Sequence, residues 1–294
     1  MSAATRLSPV TAFPLSPRRR DELAALLADE HRLRAEHPAV ADYLDTAPRL
    51  AGTGDESADG AFDLGLLHYL TGGVADNPYW EIVRPTVTPG PDSRGRRREA
   101  NGGNPRGSAR LAFAQTVLQS AYAYAVPAPE TLEWIVARCH DRRIVELGAG
   151  RGYWAAQLAR RGAEVLAFDV EPPGARSNLS FPATSGIPET WHPVGDLAAF
   201  ARTDTTDAVL LLCWPPGWDD PMSSEALNHY REAGGDRLVY IGEPRGGRTA
   251  NESFFATLDA EWVLVEQDPD FVSWWNLADA AQIWRPRDRH SDPR

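Results

Sequence analysis

Lysine is missing from this 294-residue chain. All 30 basic side chains are arginine, set against 41 acids, for a formal net charge of −11. The absence reads as codon composition rather than as function. The sign of the charge makes the chain a poor ligand for polyanions unless its arginines cluster. They cluster once, over residues 94–110. Cysteine is nearly absent too, with only Cys139 and Cys213. That excludes a disulfide framework and makes a reducing cytoplasm the default. No apolar run approaches the ~20 residues that span a bilayer, which excludes a transmembrane helix. Arg18, Arg19 and Arg20 lie near the start, but a charged, helix-patterned segment follows them. We therefore expect no secretory signal.

What is present is an ordinary globular composition, 43% hydrophobic. The length suits one large domain or one domain with an appendage. Residues 1–17 are rich in Pro, Ser, Thr and Ala and read as a frayed N-terminus. Residues 18–35 carry Leu23, Leu26, Leu27 and Leu33 at helical spacing. Shorter helices are expected within 37–50 and 62–70, with a loop over 51–60. Together, residues 18–125 read as a mainly helical cap over a core, with a dimer contact as the alternative. Residues 89–110 hold six arginines among Gly, Pro, Ser and Asn and read as a mobile, solvated linker. Helices are expected at 108–125 and 129–140.

The centre of the sequence is residues 142–158, RRIVELGAGRGYWAAQL. A short apolar strand runs into Gly148-Ala149-Gly150-Arg151-Gly152, and an amphipathic helix follows from Tyr153. Glycines there let the backbone turn sharply and let a ligand approach the main chain. The first N–H groups of the next helix favour a negative group. A second strand, residues 164–170, carries Asp169 at its end, where a carboxylate can accept both hydroxyls of a ribose. Strands are further expected at 191–195, 207–213, 237–242, 261–266 and 281–286, with helices at 223–233 and 251–259. The connection over 171–191 contains Arg176 and Asn178 and is placed over the site. The expected fold is α/β: a Rossmann-like, doubly wound, mostly parallel sheet with an antiparallel last strand and an N-terminal helical appendage. Its core is residues 126–286, and residues 287–294 form a loose tail.

Glu146, ELGAGRG, Asp169 and the Gly195-Asp196 pair together resemble the motifs of class I S-adenosylmethionine-dependent methyltransferases, over residues 129–286. The resemblance implies S-adenosylmethionine as cofactor and no metal. It implies that Glu146 and the backbone of Gly148, Ala149, Gly150 and Gly152 hold the methionine part. Tyr153 and Val170 join that cofactor-binding set. Asp169 would take the ribose, Asp196 and Leu197 would frame the adenine, and Cys213 and Trp214 would line the floor beneath the reacting methyl. The physical chemistry agrees: an acid suits an ammonium, a second suits a diol, and methyl transfer depends mainly on positioning. The dinucleotide fingerprint G-x-G-x-x-G fits less well, because Tyr153 and Trp154 follow the last glycine.

The Cys213-Trp214-Pro215-Pro216 turn resembles the Asp/Asn-Pro-Pro-aromatic motif of nucleic-acid amine methylases, but Trp214 replaces the acceptor side chain and cannot take an amine hydrogen. With the net negative charge, this argues against a nucleic-acid substrate. We expect a small-molecule or peptide-like acceptor, with O-methylation slightly ahead of N-methylation and a place in specialised biosynthesis. Candidate proton acceptors are Glu243, His192 and Tyr124, ahead of His229 and Tyr240. Candidate acceptor-pocket residues are Trp80, Tyr122, Trp214 and Trp218, together with Trp274 and Trp275. The alternatives are a methyltransferase-fold enzyme of another chemistry and a non-catalytic partner subunit.

Overall fold

The computed structural model describes residues 15–89, 97–140, 142–173 and 187–287. The expectations for residues 1–14, the linker residues 90–96, Arg176 and Asn178, and the tail from 288 lie outside the described residues. The N-terminal helices are α1 (Pro17–Ala28), α2 (Glu30–Glu36), α3 (Pro38–Thr46), α4 (Glu56–Leu70) and α5 (Pro78–Val83). The single helix expected over 18–35 is two helices. The Asp29 side chain accepts the Arg32 N–H and starts α2 afresh. α4 begins inside the expected loop because Asp55 caps the N–H groups of Ser57 and Ala58. Leu15 is buried, and the Ser16 side chain caps α1 through the Arg19 N–H.

The linker expectation also changes. Strand β1 (Arg98–Ala100) pairs in parallel with β8 (Val272–Trp274), and Arg97 donates to the carbonyls of Leu277 and Asp279. Arg98 donates to the Asp270 carbonyl and lies over the Trp80 ring. Arg110, in α6 (Ala109–Ala121), donates to the Ala47 carbonyl. These arginines are structural pins rather than a solvated face.

After α7 (Pro129–Cys139) come β2 (Ile144–Leu147), α8 (Tyr153–Ala159), β3 (Val165–Phe168), β4 (Val194–Gly195), α9 (Leu197–Phe200) and β5 (Val209–Cys213). Then follow α10 (Met222–Glu232), β6 (Leu238–Gly242), α11 (Glu252–Glu261), β7 (Trp262–Gln267), β8 and β9 (Ala280–Pro286). Seven strands form one sheet in the order β4-β3-β2-β5-β6-β9-β7. All its strands are parallel except β9, which runs against both neighbours. This is the Rossmann-like α/β fold expected, with its antiparallel last strand.

The period of two along each buried strand divides the core. Val209, Leu211, Val239 and Ile241 face a cluster that runs without a break into the N-terminal helices. Leu210, Leu212, Leu238 and Tyr240 face α10 and α11. The helical segment thus covers one face of the sheet. Chain order reverses between β2 and β5, and the crevice at such a reversal is where ligands sit in open α/β sheets.

Candidate functional site

Strand β2 delivers the backbone into the crevice. Gly148, Gly150 and Gly152 have φ of +74°, +54° and +72°, a run of left-handed turns that side chains resist. A Cβ on Gly152 would stand 3.0 Å from both the His192 Cβ and its carbonyl oxygen. One on Gly148 would meet only the flexible end of Met222, at 2.8 Å. The turn is pinned to β3: Gly148 and Ala149 both donate to the Phe168 carbonyl, at 2.9 and 3.1 Å. Gly150 donates to Asp169 Oδ2 at 2.8 Å, and the Glu171 N–H takes Oδ1 at 2.9 Å. An ionised carboxylate has about four acceptor sites, so Asp169 retains capacity for hydroxyl donors.

Glu146 lies at the end of β2 beneath this turn. It is 2% exposed, and its Oε2 has no hydrogen-bond partner among the described residues. Burial pushes its carboxyl up to about 8; the Ala155 backbone N–H opposes the shift and the Asp169 charge adds to it. A buried carboxyl with one oxygen unpartnered is a costly arrangement in the free protein. It suits a site that receives an ammonium.

Along the same edge, Asp169 donates its N–H to the Gly195 carbonyl. Beyond it, Val170 is 74% and Leu197 48% exposed. Two apolar side chains left open at adjacent strand ends make a surface for a flat ring. Asp196 caps α9 through the Ala199 N–H at 2.7 Å. At the end of β5, Cys213 and Trp214 are half-buried. Burial pushes the Cys213 thiol up, with the charges of Glu146 and Asp279 adding to it, so it is no ready nucleophile.

Trp214 is left-handed, at φ +53°. Its N–H donates to the Ile241 carbonyl at 2.7 Å, its indole Nε1 donates to Asp279 Oδ2 at 2.9 Å, and its ring stacks on Tyr124 at 5.4 Å and 12°. Trp218 and Asp219 are left-handed as well. The loop after β5 is tied to the loop after β6 by the Ala250 N–H on the Pro215 carbonyl and the Pro216–Thr249 bridge.

The structure brings Glu146, Gly148, Ala149, Gly150, Gly152, Asp169, Val170, Asp196, Leu197, Cys213 and Trp214 to the carboxyl ends of β2 to β5, with Tyr124 beside them. Other expected site residues stand elsewhere. His192 has its backbone beside Gly152 but turns its ring away from that edge: its Nε2 bonds the Val165 carbonyl, at the opposite end of β3. Glu243 is buried, but both its oxygens hold backbone: Oε2 the Arg248 N–H at 2.6 Å and Oε1 the Ala278 N–H at 3.1 Å. It is a clamp between loops. Trp218 is 84% exposed, while Trp80 packs under Arg98.

Tyr122 is buried in a cluster with Tyr79, Tyr153 and Trp191, at 5.0 to 5.5 Å between centroids. Tyr153 is a packing and anchoring residue there. Its hydroxyl donates to Asn77 Oδ1 at 3.0 Å and accepts the Tyr79 N–H at 3.2 Å. His229 is exposed on α10, and the Tyr240 hydroxyl donates to the Glu243 carbonyl.

Three residues escaped the sequence reading. Asp279 carries no motif, and its role exists only because the segment before β9 folds back over Trp214. Met222 covers the glycine turn from the start of α10. Asn77 precedes a proline and opens α5, a readable cap signal.

No protein-family model and no curated protein matches the chain. Among solved structures it is similar to a magnesium protoporphyrin IX methyltransferase from Synechocystis PCC 6803 with bound S-adenosylhomocysteine. That pair shares 14% identity over 60% of this chain and 88% of the other, with a TM-score of 0.37. It is similar to a putative O-methyltransferase from Klebsiella pneumoniae, at 15% identity over 60% and 87%, TM-score 0.35. A third is a Burkholderia thailandensis 1,6-didemethyltoxoflavin-N1-methyltransferase, at 19% over 54% and 77%, TM-score 0.34. The fold itself is a Rossmann-like, mostly parallel α/β sheet with one antiparallel strand.

Proposed function

We propose that the chain is an S-adenosylmethionine-dependent methyltransferase acting on a small organic or peptide-sized acceptor. The observation that carries this reading is the pairing of a left-handed glycine turn with two acids of different kind. Glu146 is buried with an unpartnered oxygen, and Asp169 is pinned to the turn with acceptor capacity left. A dinucleotide phosphate would meet a buried acid at this turn; an amino-acid ammonium gains a partner.

The residues present fit the cofactor. Glu146 and the backbone of Gly148 to Gly152 would hold its methionine part, Asp169 its ribose, and Val170, Asp196 and Leu197 its adenine. Cys213 and Trp214 would line the floor near the acceptor. When bound, the group supplies a methyl on a cationic sulfur. The chain's contribution is orientation and exclusion of water, and alignment of two reactants alone is worth ~7–11 kcal/mol. Tyr124, stacked on Trp214, is the member of the proposed base set that lies at this edge.

The test is calorimetric titration of the full chain with S-adenosylhomocysteine, followed by Asp169→Asn. Asn retains an oxygen for the Gly150 N–H but loses the charge. We expect saturable binding weakened at least tenfold by the substitution. Unchanged affinity would remove Asp169 from the ribose site.

A further inference from the structure

Trp214 is half-buried at the end of β5, on the same sheet edge as the glycine turn, and its setting is more elaborate than packing requires. A bulky residue at positive φ is strained and persists only where its surroundings hold it. Here three contacts do so: the Ile241 carbonyl, the Asp279 carboxylate and the Tyr124 ring. Asp279 is 1% exposed, and the Ser273 hydroxyl takes its other oxygen. A buried carboxylate is thus spent on orienting one indole.

The group bonded to that indole's Nε1 is an acid. Behind the ring stands this acid, Asp279, which Glu243 faces in turn. The Arg97 charge also acts on Asp279, from the side of its backbone carbonyl. Arg97 donates to the carbonyls of Leu277 and Asp279, and Arg151 donates to the Pro188 carbonyl. An aromatic face backed by carboxylates attracts cations and repels carboxylate or phenolate groups.

We propose that the Trp214–Tyr124 pair is the platform of an acceptor subsite for a cationic amine, with Asp279 as the residue that positions it. The proposal rests on the methyltransferase reading and reverses the slight preference for oxygen drawn from the sequence. In the step, the ammonium first loses a proton to water. The nitrogen lone pair then bonds to the methyl carbon as the carbon–sulfur bond breaks. The sulfur leaves as a neutral thioether, and the nitrogen carries the positive charge. Substrate and product are both cations over the same ring.

The test uses the full chain saturated with S-adenosylhomocysteine and titrated with benzyltrimethylammonium, benzyl alcohol and phenylacetate. The ammonium should bind at least tenfold more tightly than the other two. Trp214→Leu should abolish that preference, Trp214→Phe should keep most of it, and Asp279→Ala should reduce it. Equal or tighter binding of phenylacetate or benzyl alcohol would overturn the proposal and leave the methyltransferase reading standing. Absence of ammonium binding at millimolar concentration would do the same. Failure of S-adenosylhomocysteine to bind would remove the underlying reading and the proposal together.

Discussion

Glu146 shows how a single residue ties the site to stability. Its carboxyl is raised to about 8 by burial, so the folded chain holds a proton that the unfolded chain releases near pH 4.5. Between those values the native state binds more protons, and stability falls as pH rises, by at most ~1.4 kcal/mol per pH unit. Below that window the contribution is fully present; above pH 8 it is lost. Glu146→Gln should flatten the decline, measured by urea denaturation of the ligand-free chain between pH 5 and 9. A slope unchanged by the substitution would place the titration elsewhere. Gly152 supplies a second residue-scale test. Gly152→Ala adds a Cβ at φ +72° against backbone, and should cost at least ~1–2 kcal/mol in the same assay. The glycines were legible in the sequence because a left-handed turn demands them, and the acids stood out by their places at strand ends. Asp279 was not, since its partner Trp214 lies 65 residues away.

Among elements, the α5–α8 contact decides whether the helical segment stays on the sheet. Asn77 caps α5 through the Trp80 N–H, accepts the Tyr153 hydroxyl and donates to the Pro127 carbonyl at 2.7 Å. Removing a cap and leaving buried partners unmade costs ~2–4 kcal/mol together. Asn77→Ala should lower the denaturation midpoint accordingly, and Tyr153→Phe by a smaller step; a midpoint unmoved by either would show that apolar packing alone seats α5. The central strands β2, β5 and β6 were legible as buried apolar runs bounded by turns. β1 and β8 were not, because each is three residues long and its partner lies about 170 positions away along the chain. The arginines of that region read as a solvated linker because composition reports charge and not the carbonyls waiting for it.

At the scale of the whole molecule, one apolar cluster runs from Leu23 and Leu66 through Tyr79 to Ile144, Val209 and Ile283. We propose that the boundary near residue 125 separates regions of different architecture that fold together. A fragment of residues 126–287 exposes that face, and should lack the cooperative thermal transition of the full chain by circular dichroism. A sharp, native-like transition in the fragment would make the helical segment a true appendage. No helix among the described residues is long and apolar enough to cross a membrane.

The central claim is that the turn between Glu146 and Asp169 receives a sulfonium nucleoside, and direct titration with S-adenosylhomocysteine addresses it most squarely. At ~100 times the dissociation constant the ligand should stabilise the chain by ~2.7 kcal/mol, and both Glu146→Gln and Asp169→Asn should weaken its binding. Binding of a dinucleotide in its place, or S-adenosylhomocysteine affinity indifferent to both acids, would contradict the account.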